Sequence, residues 1–78
     1  MKECAIGFIA VKGDIHVIFE IRGPELTGYV ASLRKTGEKR KEKSLGYDMK
    51  KMETFVKRSK AFYVERGFEV TEFVDLCS

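Results

Sequence analysis

The chain has 78 residues, 44% apolar and 35% charged, with fifteen basic and twelve acidic side chains for a net charge of +3. That length holds one domain and not two, and that balance belongs to a folded globule and excludes a disordered chain. A chain so short buries only about 60% of the surface its unfolded form exposes, so one core is expected and a deep cofactor pocket is not.

The first element is a strand over 4–12. Its residues from Cys4 to Val11 are apolar at odd and even positions alike, the pattern of a strand covered on both faces or set in mid-sheet. Gly13-Asp14 then gives a two-residue hairpin turn. The second strand, 15–22, alternates: Ile15, Val17, Phe19 and Ile21 face one way, and His16, Ile18, Glu20 and Arg22 the other. Gly23-Pro24 closes it, because proline has no N–H to donate into a ladder. Over 25–35 two patterns compete. Leu26, Tyr29, Val30 and Leu33 have the spacing of one helix face, with Pro24 suited to a first turn. Against a helix, Thr27-Gly28 interrupts it early, and Thr36-Gly37 stands where a hairpin turn is needed. The stronger pattern is a second hairpin, a strand over 28–35 returning through 38–45.

Asp48 is an N-cap for a helix over 49–66. Met49, Met52, Phe55, Val56, Ser59, Phe62 and Tyr63 make its apolar stripe, and Gly67 ends it at the C′ position. The last strand, 68–76, sets Phe68, Val70, Val74 and Leu76 on one face, with Glu72 a polar intruder, and Glu69, Thr71, Phe73 and Asp75 on the other. The chain therefore reads as a single α+β domain over 1–78. It combines a small antiparallel sheet, made of a β-hairpin, a second hairpin and a C-terminal strand, with one long amphipathic helix packed on one face.

Charge is unevenly spread. From Arg34 to Lys60 eleven basic residues face four acidic ones, a net of +7, while the rest of the chain carries −4. Such a dipole steers an anionic partner to one side, and a phosphate backbone is the commonest such partner. The candidate phosphate contacts are Arg34, Lys35, Lys39, Arg40, Lys41, Lys43, Lys50 and Lys57, with Lys51, Arg58 and Lys60 on the helix flanks and Tyr29 and Tyr47 at the edges. The plain structural account of the same residues is solubility and ion pairing. The chain has no Asn, Gln or Trp and is rich in Lys and Glu, the direction hyperthermophile proteins take.

A basic hairpin followed by Leu45-Gly46-Tyr47-Asp48-Met49-Lys50-Lys51 and an amphipathic helix resembles the amino-terminal arm-binding domains of tyrosine recombinases. The resemblance covers residues 28–57. It implies DNA contacted by a three-stranded sheet backed by a helix. Met49 stands where that family carries Thr before the lysines, and a final strand follows where that family enters its next domain.

No catalytic constellation stands out. His16 is the single histidine and has no partner for general-base work that the sequence identifies. Ser32, Ser44 and Ser59 lack a nucleophile-elbow context, and no phosphate-binding glycine loop occurs. Cys4, Cys77 and one His do not make a zinc site. The two cysteines read as free thiols of a cytoplasmic protein, or as a bridge between first and last strands. The amino terminus lacks a signal-peptide pattern, and no apolar run is long enough to enter a membrane as a helix. The expectation is a non-enzymatic nucleic-acid-binding regulator or architectural factor without cofactor or metal. The competing expectation is a protein-binding inhibitor or adaptor of the kind viruses and mobile elements encode, acting through either charged pole. An exposed edge strand also offers itself to a second copy as a homodimer.

Overall fold

The computed structural model describes residues 4–26 and 28–75. Five strands, β1 (Cys4–Lys12), β2 (Ile15–Glu25), β3 (Gly28–Lys35), β4 (Lys41–Gly46) and β5 (Glu69–Asp75), form one sheet in the order β4-β3-β2-β1-β5, every neighbouring pair antiparallel. One helix, α1 (Met49–Glu65), lies between β4 and β5 in the chain and carries it from one edge of the sheet to the other. The expected α+β architecture is the one observed, and residues 28–35 resolve as strand rather than helix.

Register places the core. Phe8 pairs with Phe19 and Phe19 with Leu33, Ala10 with Val17, and Ile6 with Ile21 and then Ala31, so these side chains share one face. Phe8 stacks on Phe19 at 5.0 Å between ring centroids, and both meet the helix, Phe19 through Phe55 at 5.6 Å and Phe8 through Tyr63 at 6.0 Å. Met52 and Tyr63 are the buried helix residues, and Leu45 closes the core at the β4 end.

The helix ends are local chemistry. Asp48 Oδ1 accepts from the Lys51 N–H at 3.1 Å, which satisfies one free amide of the first turn. At the other end Gly67, at φ +80°, takes the left-handed position, its N–H reaching Val64 O while the Phe68 N–H reaches Tyr63 O. Tyr63 and Phe68 then meet ring to ring at 5.1 Å, the apolar contact that accompanies this stop.

Several expectations need correction. β2 does not end at Gly23-Pro24 but runs to Glu25 through a bulge between Arg22 and Glu25, which absorbs the proline's missing donor. β4 begins at Lys41 rather than 38, because 36–40 is spent on the turn. Only one face of β1 is covered by the helix: the opposite face leaves Ile9 40% and Ile18 38% exposed. Met49 and Phe62 are not in the buried stripe, being 56% and 47% exposed, because α1 packs chiefly on β1 and β5 and turns those flanks outward. The Cys4–Cys77 pairing and the place of Leu76 lie outside the described residues.

Candidate functional site

Because α1 leans on β1 and β5, it leaves β3 and β4 partly uncovered, and a groove opens along that flank. Its inner part has a volume of about 390 Å³, with Phe19, Ala31 and Leu33 as floor, Phe55, Phe62 and Tyr63 as the helix wall, and Lys41, Lys43 and Arg58 among its lining. A second part, about 460 Å³, continues toward the start of α1 past Lys43, Lys50, Lys51, Thr54 and Arg58. The two share Lys43, Phe55, Arg58 and Ser59 and form one continuous channel.

The helix supplies its wall by periodicity. Lys51, Phe55, Arg58 and Phe62 recur at steps of four, three and four, which stacks them in one stripe. The sheet supplies the opposing rim, since Lys41 pairs with Leu33 and Lys43 with Ala31 and both side chains rise on the helix-facing side. Lys43 Nζ lies 5.2 Å from the Phe55 ring centroid, and the Arg66 guanidinium lies 3.4 Å from that of Phe62. The groove is thus apolar and aromatic inside and cationic along both banks.

The eight sequence candidates divide. Lys41, Lys43 and Lys50 line the groove. Arg34 pairs with Ile18 on the opposite face of the sheet, where Arg40 also meets Glu42 at 3.2 Å. Lys35 lies at the end of β3, Lys39 in the turn, and Lys57 is exposed on the side of the helix away from Met52 and Tyr63. Ion pairs further sort them. Glu38 holds Lys35 at 3.6 Å and Lys41 at 3.7 Å, and Glu42 holds Arg22 as well as Arg40. Among the described residues, Arg34, Lys39, Lys43, Lys50, Lys51, Lys57 and Arg58 have no carboxylate within 4 Å. Exposed pairs are worth about 0–1 kcal/mol each, so Lys41 is easily released to another anion.

The sequence placed Lys51 and Arg58 only on the flanks of the helix, beside the eight candidates, and left Phe55 and Phe62 out altogether. The signal that would have found them is the alternation of cation and ring on one helical stripe, hidden by reading both phenylalanines as core. Tyr47 donates its hydroxyl to the Leu26 carbonyl and so braces the β2–β3 turn. His16 is exposed, its backbone tied to Thr36 Oγ1 at 3.0 Å. Among the described residues no three His, Cys, Asp or Glu side chains gather to hold a metal, and no helix is long and apolar enough to cross a membrane.

Fold and groove together define a two-layer α+β domain with an open aromatic-cationic channel beside its helix. No known family, curated protein or solved structure matches the chain. The resemblance of residues 28–57 to arm-binding domains therefore rests on the quoted residues alone.

Proposed function

We propose that this protein is a non-enzymatic nucleic-acid-binding protein that holds a single-stranded segment in the groove between β4 and α1. The observation that carries this reading is the helical stripe Lys51–Phe55–Arg58–Phe62 facing Lys41 and Lys43 across the channel. Single-strand binders combine a cationic groove that follows the phosphates with aromatic side chains for the bases, and stacking is worth about 1–3 kcal/mol per base. A duplex hides its base faces and gains nothing from the apolar interior. Arg34, Arg40, Lys39 and Lys57 lie outside the channel and add long-range attraction rather than contact.

Titration of fluorescent single- and double-stranded DNA and RNA against the protein tests this. Single strands bind more tightly, and log K falls with log salt by about 0.7 per phosphate neutralised. Lys43→Glu with Arg58→Glu abolishes binding while the circular dichroism spectrum is kept, because both side chains are exposed. Arg34→Glu with Lys57→Glu weakens it only modestly. Equal losses from the two pairs, or no binding of any strand at low salt, would sink the proposal.

A further inference from the structure

The two edges of the sheet carry opposite charge. β4 bears Lys41 and Lys43, with Arg40 just before it, against the single Glu42, and it is exposed as far as Ser44. β5 bears Glu69 and Glu72, both exposed, and no basic residue. Neither Lys43 nor Glu69 enters an ion pair among the described residues. Backbone direction matches as well. Four antiparallel steps lead from β4 to β5, so the two edge strands run the same way. The Thr36 N–H reaches the His16 carbonyl, so the even-numbered residues of β2 turn their N–H and C=O toward β3. Carried across the sheet by its registers, this alternation leaves Val70, Glu72 and Val74 of β5 with those groups pointing outward. On β4 it does the same for Glu42 and Ser44.

We propose that β5 of one copy docks on β4 of the next as a parallel strand, so that the protein assembles head to tail on one continuing sheet. A single register satisfies backbone and side chains together. With Val70 beside Lys41 and Glu72 beside Lys43, the outward groups of β5 interleave with those of Glu42 and Ser44, as a parallel ladder requires. The same register sets Glu72 against Lys43 on the helix side and Glu69 against Arg40 on the other. Val74, 63% exposed in one copy, comes to rest beside Leu45 of the next. Pairing like edges about a two-fold axis brings lysine to lysine or glutamate to glutamate, and like charges opposed across strands are destabilising. Five strands about 4.8 Å apart space successive helices by about 24 Å, against a helix diameter of about 10–12 Å, so neighbours do not collide. Each joint is heterologous, and twist of about 20–25° per strand turns each copy from the last. The assembly therefore grows as an open chain rather than closing as a dimer.

Sedimentation velocity on the full chain, without nucleic acid, tests this independently of the groove. The wild type is expected to be monomeric at low micromolar protein and to form species beyond the dimer toward millimolar protein, since a strand joint buries little area. Glu69→Lys with Glu72→Lys, and separately Arg40→Glu with Lys43→Glu, each give a molecule whose two edges bear the same charge. Each variant associates about tenfold more weakly or worse, while the exposed positions leave the monomer folded. Mixed in equal amounts, the two variants offer each other opposite edges and regain association. Ser44→Pro removes an outward N–H from β4, leaves the ladder to β3 intact and holds the protein monomeric. A wild type that is monomeric at millimolar protein overturns the proposal. So does one that stops at a dimer, a mixture of reversed variants that recovers nothing, or a folded Ser44→Pro protein that associates as the wild type does.

Discussion

Gly7 stands in the middle of β1 between Glu20 on β2 and Phe73 on β5. A Cβ built there would lie 1.9 Å from the Phe19 carbonyl oxygen and 2.9 Å from Phe73 Cζ, distances that no rotamer change relieves on the backbone side. The glycine lets the Phe73 ring lie close over β1, an aromatic covering for a residue without a side chain of its own. Gly7→Ala is therefore expected to cost on the order of 3 kcal/mol, at the top of the usual range for overpacking. Chemical denaturation checks it; a loss under about 0.5 kcal/mol would mean β1 and β2 are not held as described. Phe55→Ala removes the ring that stacks on Phe19 and also forms the groove wall. Its expected cost is about 3 kcal/mol, the low end for a phenylalanine, because the ring is only partly buried and water can reach the vacated space.

At the scale of elements, α1 owes its ends to short-range chemistry and its tilt to the sheet. Asp48→Ala deletes the cap on the Lys51 N–H and should cost about 1 kcal/mol, a fall of about 4–8 °C in Tm for a domain of this size. An unchanged Tm would show that the first turn is held by tertiary packing alone. The difference between ends and tilt explains what the sequence made legible. Asp48, Gly67 and the turn at Gly13-Asp14 act within a few residues, so the helix limits and the first hairpin could be read directly. The alternation of Val17, Phe19 and Ile21 likewise named the buried face of β2. The orientation of Phe62 and Met49 could not be read, because apolar spacing gives a stripe but not which flank of that stripe the sheet covers. The contact of α1 with β5, where Lys60 meets Glu72, draws the helix to that side. It also gives the carboxylate that looked misplaced among Val70 and Val74 its partner. The groove opposite is the consequence of that lean, and no local pattern announces it.

The whole molecule is a central hairpin with weaker flanks. β1 and β2 each have neighbours on both sides and carry Phe8, Ala10, Val17, Phe19 and Ile21 under the helix, whereas β4 is an edge strand of six residues with four of them exposed and Leu45 as its buried anchor. Local opening free energy follows burial and pairing, so native-state hydrogen exchange should be slowest at amides of β1 and β2, near the global unfolding limit. β4 should exchange fastest of the strands. This gradient bears on the groove, because its two banks differ in anchorage: the α1 wall is held by the buried Met52 and Tyr63, and the Lys41–Lys43 bank sits on an exposed edge strand. A ligand bridging the banks binds the closed arrangement preferentially and must slow exchange in β4 more than in β1. Exchange measured with and without a short single-stranded oligonucleotide gives the comparison. Selective protection of β4 and of the first turns of α1 is the expected outcome. Protection confined to the Arg34–Ile18 face would instead place the nucleic acid on the opposite side of the sheet and remove the groove from the binding site.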